Sequence, residues 1–446
     1  PVPFPPMPPP RAAPVSRAIR SAADPGMPIL DAMGNSLHTP RRAIVFSGGG
    51  ARGAYEAGVL RYLIEELPRR LGHPIRIDIA CGTSVGAIHA CFLGATAHLG
   101  PARGARLIDF WRSLRIEKAL PFSMRDLVGL PRRLFGLRRV ARTLRGGQPP
   151  ERLYGLLDTR PLERLVVTAI PWRAIRDNVA AGRIQSICVA ATEIATGRVV
   201  VFMESADGAP QAWTRDPTVV PRVTHLHPSH ALASAAIPLL FPAVRIASTY
   251  YADGGLRLNT PLSPALRLGA DRVLVVALRP TPQRDHEATL ADHRVEDYAS
   301  PAFLFGKVLN ALMLDHLDID LARMHVMNEM IRDGERAFGS DFLERLGQIS
   351  NAALGQRFRA IDDLVIRPSA DLGVIAAQVL QNLPGAVNRS PFFRLAMRNL
   401  VPGRRSAEAD LMSYLLFDGE FVTPLVELGY RDAMAREEEL ARFFSD

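Results

Sequence analysis

The sequence is short of cysteine and of lysine, and it has no long apolar run. Three cysteines, Cys81, Cys91 and Cys188, occur in 446 residues, and none forms a CxxC pair. So sparse and odd a set excludes a disulfide framework and argues against a zinc site. Buried free thiols in a reducing compartment are expected instead. The most apolar stretch, residues 231–247, is interrupted by Pro238, Pro242 and Arg245. It falls short of the roughly 20 uninterrupted apolar residues of a spanning helix, which excludes a multi-pass membrane protein. Lysine occurs only as Lys118 and Lys307. That bias towards arginine weakens any argument from arginine counts alone.

Hydrophobic residues make up 48% of the chain and charged residues 22%, a composition that supports a large core. The formal net charge of +9 is uneven. Residues 1–160 carry 24 Lys+Arg against 11 Asp+Glu, a net of +13; the remainder carries 30 against 34, a net of −4. A basic half usually faces nucleic acid or an anionic membrane. Residues 1–40 hold 11 of the 36 prolines and read as a flexible tail. The chain begins at Pro1 rather than Met, so secretion is left open beside a cytoplasmic or membrane-peripheral place.

From Ala43 the pattern becomes that of a mostly parallel α/β sheet flanked by helices. Ala43–Phe46 is a short apolar run ending in Ser47-Gly48-Gly49-Gly50. Residues 54–67 have helical periodicity, with Pro68 expected at the helix end. Residues 75–81 read as a second strand, followed by Gly82-Thr83-Ser84-Val85-Gly86 and a helix to about residue 97. Further strands are expected at 184–191, 199–203, 244–247, 250–252, 272–278 and 364–368, and helices over 302–346 and 411–444. Residues 112–150 break this alternation. Arg132, Arg133, Arg138, Arg139, Arg142 and Arg145 are interleaved there with leucine, valine and phenylalanine. Such an insert suits docking on anionic lipid as well as it suits a solvated helix capping the site. With one aromatic in its arginine-rich part and no recognition motif, it does not suit nucleic acid.

The chemistry is carried by three short motifs. Gly82-x-Ser84-x-Gly86 lies between a strand and a helix, the setting of a nucleophile elbow: small neighbours allow a sharp turn, and the helix N-terminus favours developing negative charge. The competing reading is a turn serine that caps the helix. Gly48-Gly49-Gly50-Ala51-Arg52-Gly53 matches the dinucleotide fingerprint G-x-G-x-x-G, but the acidic residue this needs is poorly placed, Asp78 lying inside the expected second strand. An oxyanion hole of backbone N–H groups fits better beside the elbow, with Gly48, Gly49, Gly50, Arg52 and Gly53 as its candidates. Asp253-Gly254-Gly255 puts a carboxylate at the end of a strand, the active edge of an open α/β sheet; the competing reading is an ordinary Asp-Gly turn. No histidine has a local setting that marks it as the base.

These three motifs, with His230–Pro242 ahead of the aspartate, resemble the patatin-like phospholipases over about residues 41–280. The resemblance implies a catalytic domain over 41–280 containing the 112–150 insert, and a mainly helical C-terminal extension over 281–446. It implies a Ser84–Asp253 dyad, an oxyanion hole at Gly49 and Gly50 with Arg52 beside it, lipid acyl esters as substrates, and no cofactor or metal. A Ser-His-Asp carboxylesterase of the α/β-hydrolase kind, and a lipid-binding protein that kept the fold, are the alternatives. Neither the head group, the acyl position nor the oligomeric state follows from the sequence.

Overall fold

The computed structural model describes residues 39–116, 150–281 (apart from 151, 154, 156, 210–212 and 215), 316–347, 358–382 and 412–445. The proline-rich tail, the six arginines of the insert, His286 and His293 lie outside the described residues. Pro40–Asp446 forms one compact unit.

Its centre is a sheet in the order β5-β4-β3-β2-β1-β8-β9. These strands are β1 (Arg42–Phe46), β2 (Ile79–Thr83), β3 (Ser186–Glu193), β4 (Val199–Ser205), β5 (Val219–Val223), β8 (Arg272–Val276) and β9 (Asp362–Ile366). Strands β3, β2, β1, β8 and β9 run parallel to one another. Strand β4 turns antiparallel on β3 and carries β5 parallel to itself. A short pair, β6 (Val244–Ile246) and β7 (Thr249–Asp253), is antiparallel, and β7 also pairs with the end of β3.

Both faces of the sheet are covered, as a parallel sheet requires. Alternation along β1 divides its residues. Ile44 and Phe46 join a core with helices α1 (Ala54–Arg61), α3 (Val85–Ala95) and α11 (Gly419–Ala435). Ala43 and Val45 face the other core, with α8 (Leu262–Arg267) and α9 (Leu317–Phe338). The remaining helices are α2 (Leu67–Leu71), α4 (Ala102–Arg112), α5 (Arg160–Ala169), α6 (Arg173–Ala180), α7 (Pro228–Ser234), α10 (Leu372–Asn382) and α12 (Glu437–Phe444). No helix among the described residues is long and apolar enough to cross a membrane. The three cysteines are buried free thiols.

Three local expectations need correction. Pro68 does not end the first helix. The chain widens into a π turn over Tyr62–Glu66 and restarts as α2, in whose first turn a proline needs no N–H partner. The second strand begins at Ile79, not at residue 75. Asp78 closes its start: its carboxylate accepts from Arg42 N–H at 2.9 Å and its carbonyl accepts from Gln185 N–H at 2.7 Å. Asp78 is therefore a strand-end brace rather than a strand residue. Strand β5, with its alternation broken by Pro221, was not visible in the sequence; it forms because β4 presents an edge to it.

Candidate active site

Ser84 follows β2 directly and precedes α3, with φ +56° and ψ −122°. A non-glycine residue in that region is strained by roughly 1–3 kcal/mol and persists only where its surroundings impose it. Here the glycines on either side impose it. A Cβ on Gly82 would lie 2.0 Å from Gly86 O, and one on Gly86 would lie 2.7 Å from Phe46 Cβ and O. Ser84 N–H donates to Ser234 Oγ at 2.8 Å, and Ser234 Oγ donates to Ala190 O at 2.5 Å.

Strand register brings Asp253 to the same place. Thr83, the last residue of β2, pairs with Ala190 of β3; Asp253, the last of β7, pairs with Ala191. Strand β4 occupies the other edge of β3. Strands β2 and β7 therefore meet end to end along one edge, and residues 169 positions apart arrive at adjacent sites. Gly254 completes the approach, for a Cβ there would lie 2.2 Å from Ala190 O.

Asp253 is 1% exposed. Its Oδ1 accepts from Gly255 N–H at 2.7 Å, while Oδ2 has no partner within hydrogen-bond distance among the described residues. Burial pushes the carboxyl up to about 7, against the opposing pull of Gly255 N–H and the Ser84 hydroxyl.

The glycine loop lies alongside. A Cβ on Gly48 would meet Ser84 Cβ at 3.2 Å and Asn259 Oδ1 at 2.5 Å. Gly48 N–H is committed to Asn259 O at 3.0 Å, which removes it as a donor to substrate. Gly50 has φ +57° and opens a 3₁₀ turn over Gly50–Gly53. A helix start leaves its first N–H groups without intrahelical acceptors, so Gly49 and Gly50 are the better donors. Gly53 packs against Val85, where a Cβ would meet Cγ2 at 2.3 Å. Arg52 is turned to the C-terminal region: its Nε donates to Ser413 Oγ at 2.7 Å and its guanidinium lies 4.0 Å from the Tyr414 ring centroid. The sequence by itself assigns no role to Ser234, Asn259, Ser413 or Tyr414.

No imidazole among the described residues contacts Asp253. His89 is fully buried, its Nδ1 2.7 Å from Glu56 Oε2 and its Nε2 accepting from the Trp111 indole at 3.0 Å. Burial lowers it to about 3. His230 Nδ1 accepts from His227 N–H, and burial lowers it to about 4. His325 is paired with Asp363 of β9.

Ser84 and Gly50 line one side of a pocket. Its walls are apolar, among them Ile88, Phe110, Trp111, Val166, Ile237 and Phe417; Arg152 and Glu163 stand among them as an ion pair at 2.7 Å. A reactive hydroxyl, a buried carboxylate and loop N–H groups at the foot of an apolar pocket can accept an acyl chain and work on its carbonyl.

A profile of the family described as Patatin-like phospholipase matches residues 44–266. A cGAMP-activated phospholipase of Pseudomonas aeruginosa is 30% identical over 220 residues, 49% of this chain and 53% of its own. The chain thus spans about half the length of that relative. A putative patatin-like phospholipase domain-containing protein of Caenorhabditis elegans is 38% identical over 84 residues, 19% of this chain and 7% of its own. Among solved structures, VipD from Legionella pneumophila aligns with TM-score 0.29 and 12% identity over 90% of this chain and 67% of its own. The ExoU–SpcU complex of Pseudomonas aeruginosa aligns with TM-score 0.27 and 15% identity over 84% and 74%.

Proposed function

The chain belongs to the patatin-like phospholipases, and on that premise we propose that it is a serine acyl hydrolase cleaving lipid acyl esters through a Ser84–Asp253 dyad. The observation that carries this reading is the apolar pocket lined by Ser84, beside a buried carboxylate with one oxygen unpartnered among the described residues. A pocket of that lining suits a hydrocarbon chain, and the hydroxyl at its foot suits the chain's ester carbonyl.

In this mechanism Ser84 Oγ attacks the carbonyl carbon and Asp253 Oδ2 takes the hydroxyl proton. Gly49 and Gly50 N–H groups donate to the oxyanion; one such donor is typically worth about 3 kcal/mol of barrier. The intermediate collapses, the C–O bond to the alcohol breaks, and Asp253 returns the proton to the departing oxygen. Water then attacks the acyl-serine, again losing its proton to Asp253, and the fatty acid leaves as Ser84 regains its hydrogen. Arg52 acts here through the loop it braces against Ser413 rather than by touching the oxyanion.

A fluorophosphonate probe tests the nucleophile. One label per chain is expected, at Ser84 by peptide mass spectrometry, with hydrolysis of defined phospholipids and p-nitrophenyl esters lost in step. Labelling elsewhere, or Ser84→Ala retaining hydrolysis, refutes the assignment.

Membrane docking belongs to the same proposal. Its support is the sequence of the 112–150 insert, where arginines alternate with large apolar residues. Binding to vesicles containing anionic lipid is expected to exceed binding to neutral vesicles and to fall as salt rises. Cosedimentation indifferent to both lipid charge and salt would remove the docking role.

A further inference from the structure

The pocket at Ser84 has a neighbour. A second cavity lies between α3, α4 and α5. Its lining is mainly apolar, with Phe92, Leu107 and Ile170 on its own side and His89, Arg106, Asp109 and Ser113 among its polar members. The two cavities share four side chains: Ile88, Phe110, Trp111 and Val166. These four are therefore a partition, with the reacting serine on one side and an unused apolar space on the other.

The partition has a fixed part and a yielding part. Trp111 is fixed. Its indole N–H donates to His89 Nε2, so the His89 proton sits on Nδ1 and faces Glu56 Oε2. Trp111 also stacks on Phe417, with 6.5 Å between centroids and 13° between planes. Removing it would orphan a buried polar chain. Phe110 is half-buried and meets Trp111 edge-on at 6.1 Å. Val166 is buried on α5 and has no polar role. Either can be shortened without breaking a hydrogen bond.

We propose that Phe110 and Val166 set the acyl-chain length this enzyme accepts, by closing the Ser84 pocket off from the second cavity. The inference rests on the acyl-hydrolase reading above and assigns the specificity residues within it. A chain esterified at Ser84 fills the first pocket until its end meets the partition. Each methylene beyond that point must stay in water or displace a packed side chain, and each methylene that finds apolar cover gains in binding. Shortening the partition joins the two spaces and gives the longer chain its cover.

The test is the ratio of kcat/KM for p-nitrophenyl dodecanoate to that for the hexanoate, both kept below their micellar concentrations. Wild type, Phe110→Ala and Val166→Ala are compared, with Ser84→Ala as the blank. At least a tenfold rise in the ratio is expected in Phe110→Ala and a smaller rise in Val166→Ala. Ser84-dependent hydrolysis with the same ratio in all three proteins overturns the inference and leaves the function standing. Absence of Ser84-dependent hydrolysis for every ester overturns the function and the inference together. If Phe110→Ala does not fold, Val166→Ala decides alone, because it removes only two methyl groups.

Discussion

Replacing Asp253 with asparagine is expected to lower kcat by about 10²–10⁴-fold, the range that a positioned general base supplies. Asparagine keeps the Gly255 N–H bond through its carbonyl oxygen but has no site basic enough for the Ser84 proton. KM should change little, since Asp253 lies beneath the acyl pocket rather than in its wall. On the proposed mechanism the same carboxyl governs the pH profile, working as the anion, and burial holds it at about 7. kcat/KM for a soluble ester should therefore fall about tenfold per pH unit below 7 and level off above it. Stability should move the other way. The folded protein holds this proton more tightly than the unfolded chain, whose carboxyl titrates near 3.8. The resulting stabilisation is complete below the unfolded value, declines as pH rises from there to about 7, and is absent above. Asp253→Asn removes the cost of a buried anion, so its Tm at pH 8 should exceed that of wild type. Steady-state kinetics and thermal melts at pH 6 and pH 8 check both signs. Full activity in Asp253→Asn would transfer the base to a histidine.

The second large effect concerns the C-terminal region. A chain ended at residue 411 is expected not to fold. Helix α11 lies on α1 with glycines at the crossing: a Cβ on Gly58 would lie 2.0 Å from Val426 O, and one on Gly429 would lie 2.0 Å from Tyr55 O. Phe421, Val422, Leu425 and Val426 are fully buried. At about 1.5–3 kcal/mol each, these four side chains together contribute roughly 6–12 kcal/mol. That matches the whole net stability of a typical domain, about 5–15 kcal/mol. The truncation would also strip Ser413 and Tyr414 from Arg52, and so release the loop that carries Gly49 and Gly50. Circular dichroism and size exclusion should show an unfolded or aggregated product. A monomeric, cooperatively melting fragment with wild-type hydrolysis would mean that these helices are an appendage.

Ser84, Asp253 and the glycine loop were legible in the chain because sharp turns leave local marks. A nucleophile at positive φ needs glycines two residues either side, and a carboxylate at a strand end brings its own Asp-Gly-Gly turn. The partners of these groups left no such mark. Asn259 holds Gly48, Ser234 holds the Ser84 amide and Ser413 holds Arg52, each through a contact between segments far apart in sequence. An asparagine or serine in a loop looks the same whether or not it receives such a bond.

The sequence by itself determined the strand–turn–helix units, the apolar periodicities and the motifs that carry the candidate groups, because these depend on neighbours within a few positions. Tertiary structure alone decided the rest. It seats Asp253 next to Ser84 through the shared register on β3, and it takes Gly48 out of the donor set by giving its N–H to Asn259. It also adds residues 362–366 to the sheet beside β8 and raises the Asp253 carboxyl to about 7. Each of these follows from which surfaces exclude water from which, and that is a property of the packed chain.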